Sequence, residues 1–178
     1  MSERGAQLRE ILRARRRKDV PFLVAALSQS ANRGAVLRFL AKLDATEAIP
    51  AILPLTRAED EETRMMAIYA LGKLQARESI GDISELASSD PERYVRGWAT
   101  ESVARLDEKA GVALARKALL GDEEQVVRTS ALRVLRRHGD GVDLELVQAQ
   151  GARESSWLAR LNCRRTAWMM RARLRSKR

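Results

Sequence analysis

Apolar side chains recur along this chain at the spacing of one helix face, and the arrangement returns every 31 or 32 residues. Its markers are Arg33, Arg64, Arg96, Arg128 and Arg160. Three residues after each arginine stand Val36, Ala67, Ala99, Ala131 and Cys163; seven after, Leu40, Leu71, Val103, Leu135 and Ala167. Ten after come Leu43, Leu74, Leu106, His138 and Met170. These positions share one side of a helix with about 3.6 residues per turn. The small column at the third position lets a neighbouring helix approach closely, while the larger columns fill the space between layers.

Asp60, Asp90 and Asp122 stand where the second, third and fourth arginine helices should begin, and are expected as N-caps. Glu61, Glu62, Glu92, Glu123 and Glu124 would then face the positive end of the helix dipole, with Pro91 at a first helical position. A shorter second helix follows each first one. Ile49-Pro50-Ala51-Ile52-Leu53 repeats the pattern of Val20-Pro21-Phe22-Leu23-Val24 that lies 29 residues earlier. Ile80, Ile83 and Leu86, then Val112, Leu114 and Leu119, then Val142, Leu144 and Val147 continue the series. The spacing predicts helices over 3–17 and 20–28, then pairs over 33–43 with 47–56, 60–74 with 78–88, 92–106 with 109–120, and 122–138 with 142–149. A last helix is expected over 154–174. This is an all-α solenoid of about five helix-turn-helix repeats in a single domain, residues 1–178. An N-terminal cap repeat would occupy 1–30, four central repeats 31–150, and a basic C-terminal capping helix 151–178.

The segment Asp122 to Leu135, with Val127-Arg128, Ala131 and Leu135, reads Asp-x-x-x-x-Val-Arg-x-x-Ala-x-x-x-Leu. Asp90 to Val103 and the stretch from Asp60 through Arg64, Ala67 and Leu71 are further copies. This motif resembles HEAT-like repeats of the short, phycobilisome-lyase type. Ser28-Gln29-Ser30 stands where the first copy should carry its acid, and the fifth has Glu154 and no valine. The resemblance implies a right-handed superhelix whose second helices line a concave binding face.

Charge is distributed unevenly. Residues 1–20 carry seven Lys or Arg against three acids, residues 21–150 seventeen against twenty, and residues 151–178 nine against one. The body is slightly acidic and the ends are basic. A hydrophobic fraction of 45% fits a folded chain, and aromatics at 4% favour packed helices over a sandwich. The lone Cys163 leaves no internal disulfide and fits a reducing, cytoplasmic location. The longest uncharged stretch, Val20 to Asn32, has 13 residues and is too short to span a membrane. Its apolar core follows seven basic residues in the manner of a leader peptide, but the repeat accounts for it better.

No constellation of catalytic groups emerges. The arginine row could contact phosphates, but pairing with acids in its own or the next repeat's cap explains it better. Cys163 and His138 both fall in core columns, and Gly139 suits a left-handed helix cap. One Cys and one His cannot complete a zinc set, and neither a calcium loop nor a Gly-rich phosphate loop is present. No metal or cofactor is expected. HEAT-like DNA glycosylases use aromatics with an acid; the nearest material is Trp98 with Glu101, plus Trp157 and Trp168. That enzyme reading and bilin attachment are lesser alternatives.

The expected function is a non-catalytic scaffold that takes a protein or peptide along its concave face, with Glu78, Asp82, Glu85, Arg116 and Lys117 as candidate contacts. The acids among them would repel a duplex. The alternative is nucleic-acid binding through the basic ends. Arg164, Arg165, Trp168, Arg171, Arg173 and Arg175 are its candidates, with the run Arg13, Arg15, Arg16, Arg17 and Lys18 at the other end. A basic amphipathic helix of this kind also serves as a cap for the last repeat, or as a grip on an anionic membrane or acidic protein.

Overall fold

The computed structural model of the chain describes residues 3–29 and 31–176, and every regular element among them is helical. The chain divides into two compact units, Met1–Ser79 and Ile80–Arg178. The division falls in a short turn inside the third expected helix pair.

The N-terminal unit contains α1 (Glu3–Arg17), α2 (Val20–Gln29), α3 (Arg33–Lys42), α4 (Ile49–Ile52) and α5 (Glu61–Lys73). Three 3₁₀ turns, Thr46–Ala48, Leu53–Arg57 and Arg77–Ser79, complete it. The single helix expected over 47–56 is therefore broken. Pro50 sits harmlessly at the start of α4, but Pro54 follows four residues later. It has no N–H to give the Pro50 carbonyl and its ring would collide with that group, so the α-turn gives way to 3₁₀ geometry. Helices α1, α3 and α5 end on left-handed residues, Lys18 (φ 56°), Asp44 (φ 53°) and Gln75 (φ 56°). In each case the next N–H reaches back five residues: Asp19 to Ala14, Ala45 to Leu40, Ala76 to Leu71. These bonds satisfy carbonyls that a helix end otherwise leaves open.

The C-terminal unit contains α6 (Ile80–Ser89), α7 (Arg93–Leu106), α8 (Glu108–Gly121), α9 (Gln125–His138), α10 (Gly141–Arg153) and α11 (Trp157–Arg175). Helices α7, α9 and α11 pack side by side as a first layer, and α6, α8 and α10 form the second. Asp107 alone joins α7 to α8, ending one helix and capping the next by accepting the Ala110 N–H at 2.9 Å. Gly111 allows the closest approach between these two helices, because a Cβ there would lie 2.2 Å from the Ala104 Cα. Asp140 and Asp143 form a reciprocal capping box at the start of α10.

Helix starts differ from expectation in detail. Asp60 does cap α5, accepting the Thr63 N–H at 2.7 Å. Asp90 and Asp122 do not cap, because Glu92 and Glu124 occupy the N-cap positions of α7 and α9. Each aspartate instead accepts the N–H two residues on, at 2.9 Å, and folds the turn that leads into the helix. Pro91 lies in that turn, not in the helix. Gly139 is extended (φ −62°, ψ 156°) instead of left-handed. Its small size still matters, since a Cβ would meet the Leu135 carbonyl oxygen at 2.6 Å.

The core follows the repeat columns. Val36, Ala67, Ala99, Ala131 and Cys163 are all buried, as are Leu40, Leu71, Val103, Leu135 and Ala167. The outermost column is looser: Leu43 and His138 are half-buried while Leu74, Leu106 and Met170 are buried. In the C-terminal unit, Val112, Ala115, Leu119 and Val147 of the second layer close against Val127, Ala131, Leu135 and Met170 of the first.

Candidate functional site

The repeated arginines are tied into the fold. Arg64, Arg96 and Arg128 each donate one terminal nitrogen to two backbone carbonyls, five and six residues earlier, in the turn before their own helix. Arg33 gives its Nε to the Leu27 carbonyl at 2.7 Å and Arg160 donates to Ser155 at 3.2 Å. At Arg33, Arg96 and Arg128 the guanidinium also meets a carboxylate from the following repeat. Arg96 holds Asp122 through two bonds of 2.8 and 3.0 Å, and Arg128 holds Glu154 through two of the same lengths. Arg33 stands 3.9 Å from Asp60. Glu154 departs from the motif's aspartate yet does the same work, because its longer stem still reaches Arg128.

These pairs shift the groups that form them. The Arg128 hydrogen bonds hold the Glu154 carboxyl below its ordinary range, against the opposing push of burial. At Asp122 burial pushes upward, but the Arg96 bonds, the Glu124 N–H and nearby positive charge together bring the carboxyl down. Asp143 behaves alike: burial raises it, while Arg116 and the Asp140 backbone win and lower it. All three carboxylates are ionised in the native protein at neutral pH, and each is spent on a neighbouring helix.

The other candidate chemistry is equally occupied. Cys163 is buried, and burial, with the negative charge of Glu154 adding, pushes its thiol up to about 11. At neutral pH it remains a thiol and a poor nucleophile. His138 contacts Glu108 through Nδ1 at 3.0 Å, so it does not face Cys163 as a base would. Glu101 accepts from Arg133 at 2.8 Å, and the cleft it lines contains neither Trp98 nor Trp157. No group of three potential metal ligands occurs among the described residues. No described helix is long and apolar enough to cross a membrane.

The candidate partner contacts are spread over both units. Glu78 is exposed in the turn Arg77–Ser79 of the N-terminal unit. In the C-terminal unit, Glu85 is exposed on α6, Asp82 half-buried on the same helix, and Lys117 exposed on α8. Lys117 lines a shallow groove of about 140 Å³ between α6 and α8, with Ala87, Leu114 and Gly121. Arg116 is half-exposed, and Asp143 takes its Nε and one terminal nitrogen at 2.6 and 3.0 Å.

The C-terminal basic residues separate onto three sides of α11. Arg171 and Arg175 border a groove of about 610 Å³ between α10 and α11, floored by Val142, Leu144 and Leu174 and edged by Glu145. Arg164 and Arg171 border its continuation of about 400 Å³, beside Cys163 and Ala167. Arg165 lies on the opposite flank, between α11 and α9. Arg173 turns back to donate to the carbonyls of Arg136, at 3.1 Å, and Gly139, closing the C-terminal end of α9. Trp168 is 69% exposed and lines none of these grooves. At the other end of the chain Arg13, Arg15, Arg16, Arg17 and Lys18 are exposed, with Arg15 over the Phe39 ring.

The apolar floor between α10 and α11 escaped the sequence reading. Val142 belongs to a column that is half-buried at Val20, Ile49 and Ile80 and buried at Val112, but it is 70% exposed here.

Residues 20–104 match the family model for HEAT repeats. No curated protein matches the chain. Among solved structures, the crystal structure of an engineered protein is similar, with a TM-score of 0.52 over 86% of this chain and 79% of that one. The two share 20% identity, so the likeness concerns fold alone. Asp122 to Leu135 lies beyond the matched residues, yet Arg128 there repeats the contacts of Arg96. The chain thus folds as an all-α solenoid, and its residues 20–104 are similar to HEAT repeats.

Proposed function

We propose that this protein is a non-catalytic interaction scaffold, and that the second layer of its C-terminal unit, α6, α8 and α10, receives a protein or peptide partner. HEAT repeats generally serve as interaction scaffolds, which supports the coarse reading. The observation that carries the finer one is the groove between α10 and α11. Its floor is apolar, its two stretches share Gln148 and Arg171, and its rims set Glu145 against Arg164, Arg171 and Arg175. An extended or helical segment with apolar anchors and acidic flanks suits that combination. Glu85 and Lys117, exposed on neighbouring helices of the same layer, offer charges of both signs for orientation.

The test is crosslinking of the full-length protein in its native cell after nuclease treatment, followed by identification of the captured chain and binding to it in purified form. Val142→Asp and Arg171→Glu should each weaken that binding at least about tenfold, the cost of about 1.4 kcal/mol at a contact. Lys117→Glu should weaken it less. Failure to capture any protein chain, or a purified partner indifferent to both groove substitutions, would remove the reading.

A further inference from the structure

A different surface of the C-terminal unit carries positive charge that the fold does not consume. Two clefts run between neighbouring first-layer helices. The one between α7 and α9 is lined by Glu101, Arg105, Arg133, Arg136, Arg137 and His138. The other, of about 200 Å³ between α9 and α11, is lined by Arg133, Arg136 and Arg165 with Thr129, Asn162 and Thr166 among their neighbours. Arg133 and Arg136 form the wall between them, so five guanidiniums meet one carboxylate across a continuous strip.

That carboxylate, Glu101, is paired with Arg133. His138 faces Glu108. Among the described residues Arg105, Arg136, Arg137 and Arg165 have no acid at ion-pair distance. Arg105 reaches only the Ser102 hydroxyl at 3.4 Å, and Arg136 only the Met169 sulfur at 3.6 Å. Arg137 and Arg165 are exposed. The placement is regular: Arg105 with Arg137, and Arg133 with Arg165, are each 32 residues apart and hold the same position in successive repeats. Lys42 and Lys73, both exposed in the N-terminal unit, occupy the column of Arg105 and Arg137 in the sequence.

Crowding guanidiniums without counter-charge opposes folding, and nothing in the packing requires these side chains to be basic. Packed helices lie about 8–10 Å apart, so the rows of charge repeat at that interval and suit an extended polyanion better than a single ion. Neither cleft is lined by Phe, Tyr or Trp, and the one imidazole, His138, is engaged with Glu108, so there is little platform on which the bases of a single strand would stack. Their apolar lining is Ala104, Leu132, Val134 and Met169, buried or half-buried, which offers a bilayer nothing to insert. Guanidinium forks bind phosphate oxygens strongly, and a duplex presents phosphates in a rigid array.

We propose that the surface formed by α7, α9 and α11 binds the phosphate backbone of duplex nucleic acid without sequence preference, through Arg105, Arg133, Arg136, Arg137 and Arg165. The reading of the α10–α11 groove stands or falls separately, since Arg171 and Arg175 border that groove and not these clefts.

The experiment is fluorescence anisotropy of a labelled mixed-sequence DNA duplex titrated with the full-length protein over a range of KCl. Log affinity should fall with log salt at about −0.9 per neutralised phosphate. The variant R137Q/R165Q alters two exposed side chains without acid partners and should melt within about 2 °C of the unchanged protein. It should bind roughly tenfold more weakly near 0.1 M salt, with a salt slope shallower by about 2. R171Q/R175Q should bind as the unchanged protein does. Three results overturn the proposal: full-strength binding by R137Q/R165Q, loss of binding only in R171Q/R175Q, or no duplex binding while phosphatidylserine vesicles or polyglutamate are bound.

Discussion

Arg96 and Arg105 stand nine residues apart on α7, and Arg128 and Arg137 have the same separation on α9, yet the two rows live differently. Side chains of the first row are largely covered, each holding two backbone carbonyls and a carboxylate of the next repeat. The second row meets no carboxylate at all. Residue type is identical in both rows. What separates them is whether an acid recurs at the same period on the adjoining element. Asp122 and Glu154 lie 26 residues after Arg96 and Arg128, and the stacking of layers brings each pair into register. No acid recurs against Arg105 and Arg137. A repeated arginine is thus structural when its counter-charge repeats with it, and available to a ligand when it does not.

Truncating one member of each row should separate the two rows by the widest margin. Arg128→Ala strands a Glu154 carboxylate that is only 7% exposed, together with the Asp122 and Glu123 carbonyls. It should cost about 2–4 kcal/mol in a urea or thermal melt. Arg137→Ala should stay within about 0.5 kcal/mol. Equal losses would show that the two rows are not different in kind.

Arg128→Lys keeps the charge but not the fork that serves Glu154 and two carbonyls at once, so it should recover less than half of the loss, leaving more than about 1–2 kcal/mol. Full rescue would make the row a matter of charge alone.

Acid should also tell the rows apart. Asp122, Asp143 and Glu154 all titrate lower in the native state than their ordinary values of 3.8, 3.8 and 4.5. Such groups bind more protons unfolded than folded at intermediate pH. Their stabilisation is therefore complete above the ordinary carboxylate range and is lost as pH falls through the lowered native values, below about pH 4. Stability measured from pH 7 downward should drop there, and the drop should be smaller in Arg128→Ala. An unchanged acid limb in that variant would argue against the pairing.

The smallest effect concerns repulsion in the unpaired strip. Arg137→Gln should raise the melting temperature by about 1 °C at low salt, and the gain should vanish near 0.5 M salt as screening removes the repulsion. A loss of stability would mean that Arg137 has a structural partner.

Much of this fold could be read before any coordinates. The columns three and seven residues after each arginine are buried in every repeat, because burial of a helix face follows from a period of about 3.6 set by the local backbone. The N-cap at Asp60 was equally local, needing only the Thr63 N–H three residues on. Local chemistry also misled: Asp90 and Asp122 have the composition of caps, but they fold the preceding turn, and Asp122 also binds Arg96. Pro54 broke a helix that the apolar pattern had joined.

The site was far less legible than the fold. Read as one string, residues 164–175 form a single basic cluster; around α11 they point three ways, and Arg173 is committed to carbonyls of α9 more than thirty residues earlier. Sequence by itself determined where the helices lie and which of their faces are covered, since both depend on backbone periodicity within a few turns. Only tertiary structure decided which guanidiniums are consumed and which remain, because a partner 26 residues away is chosen by how layers stack, and two side chains of one kind on one helix meet different neighbours.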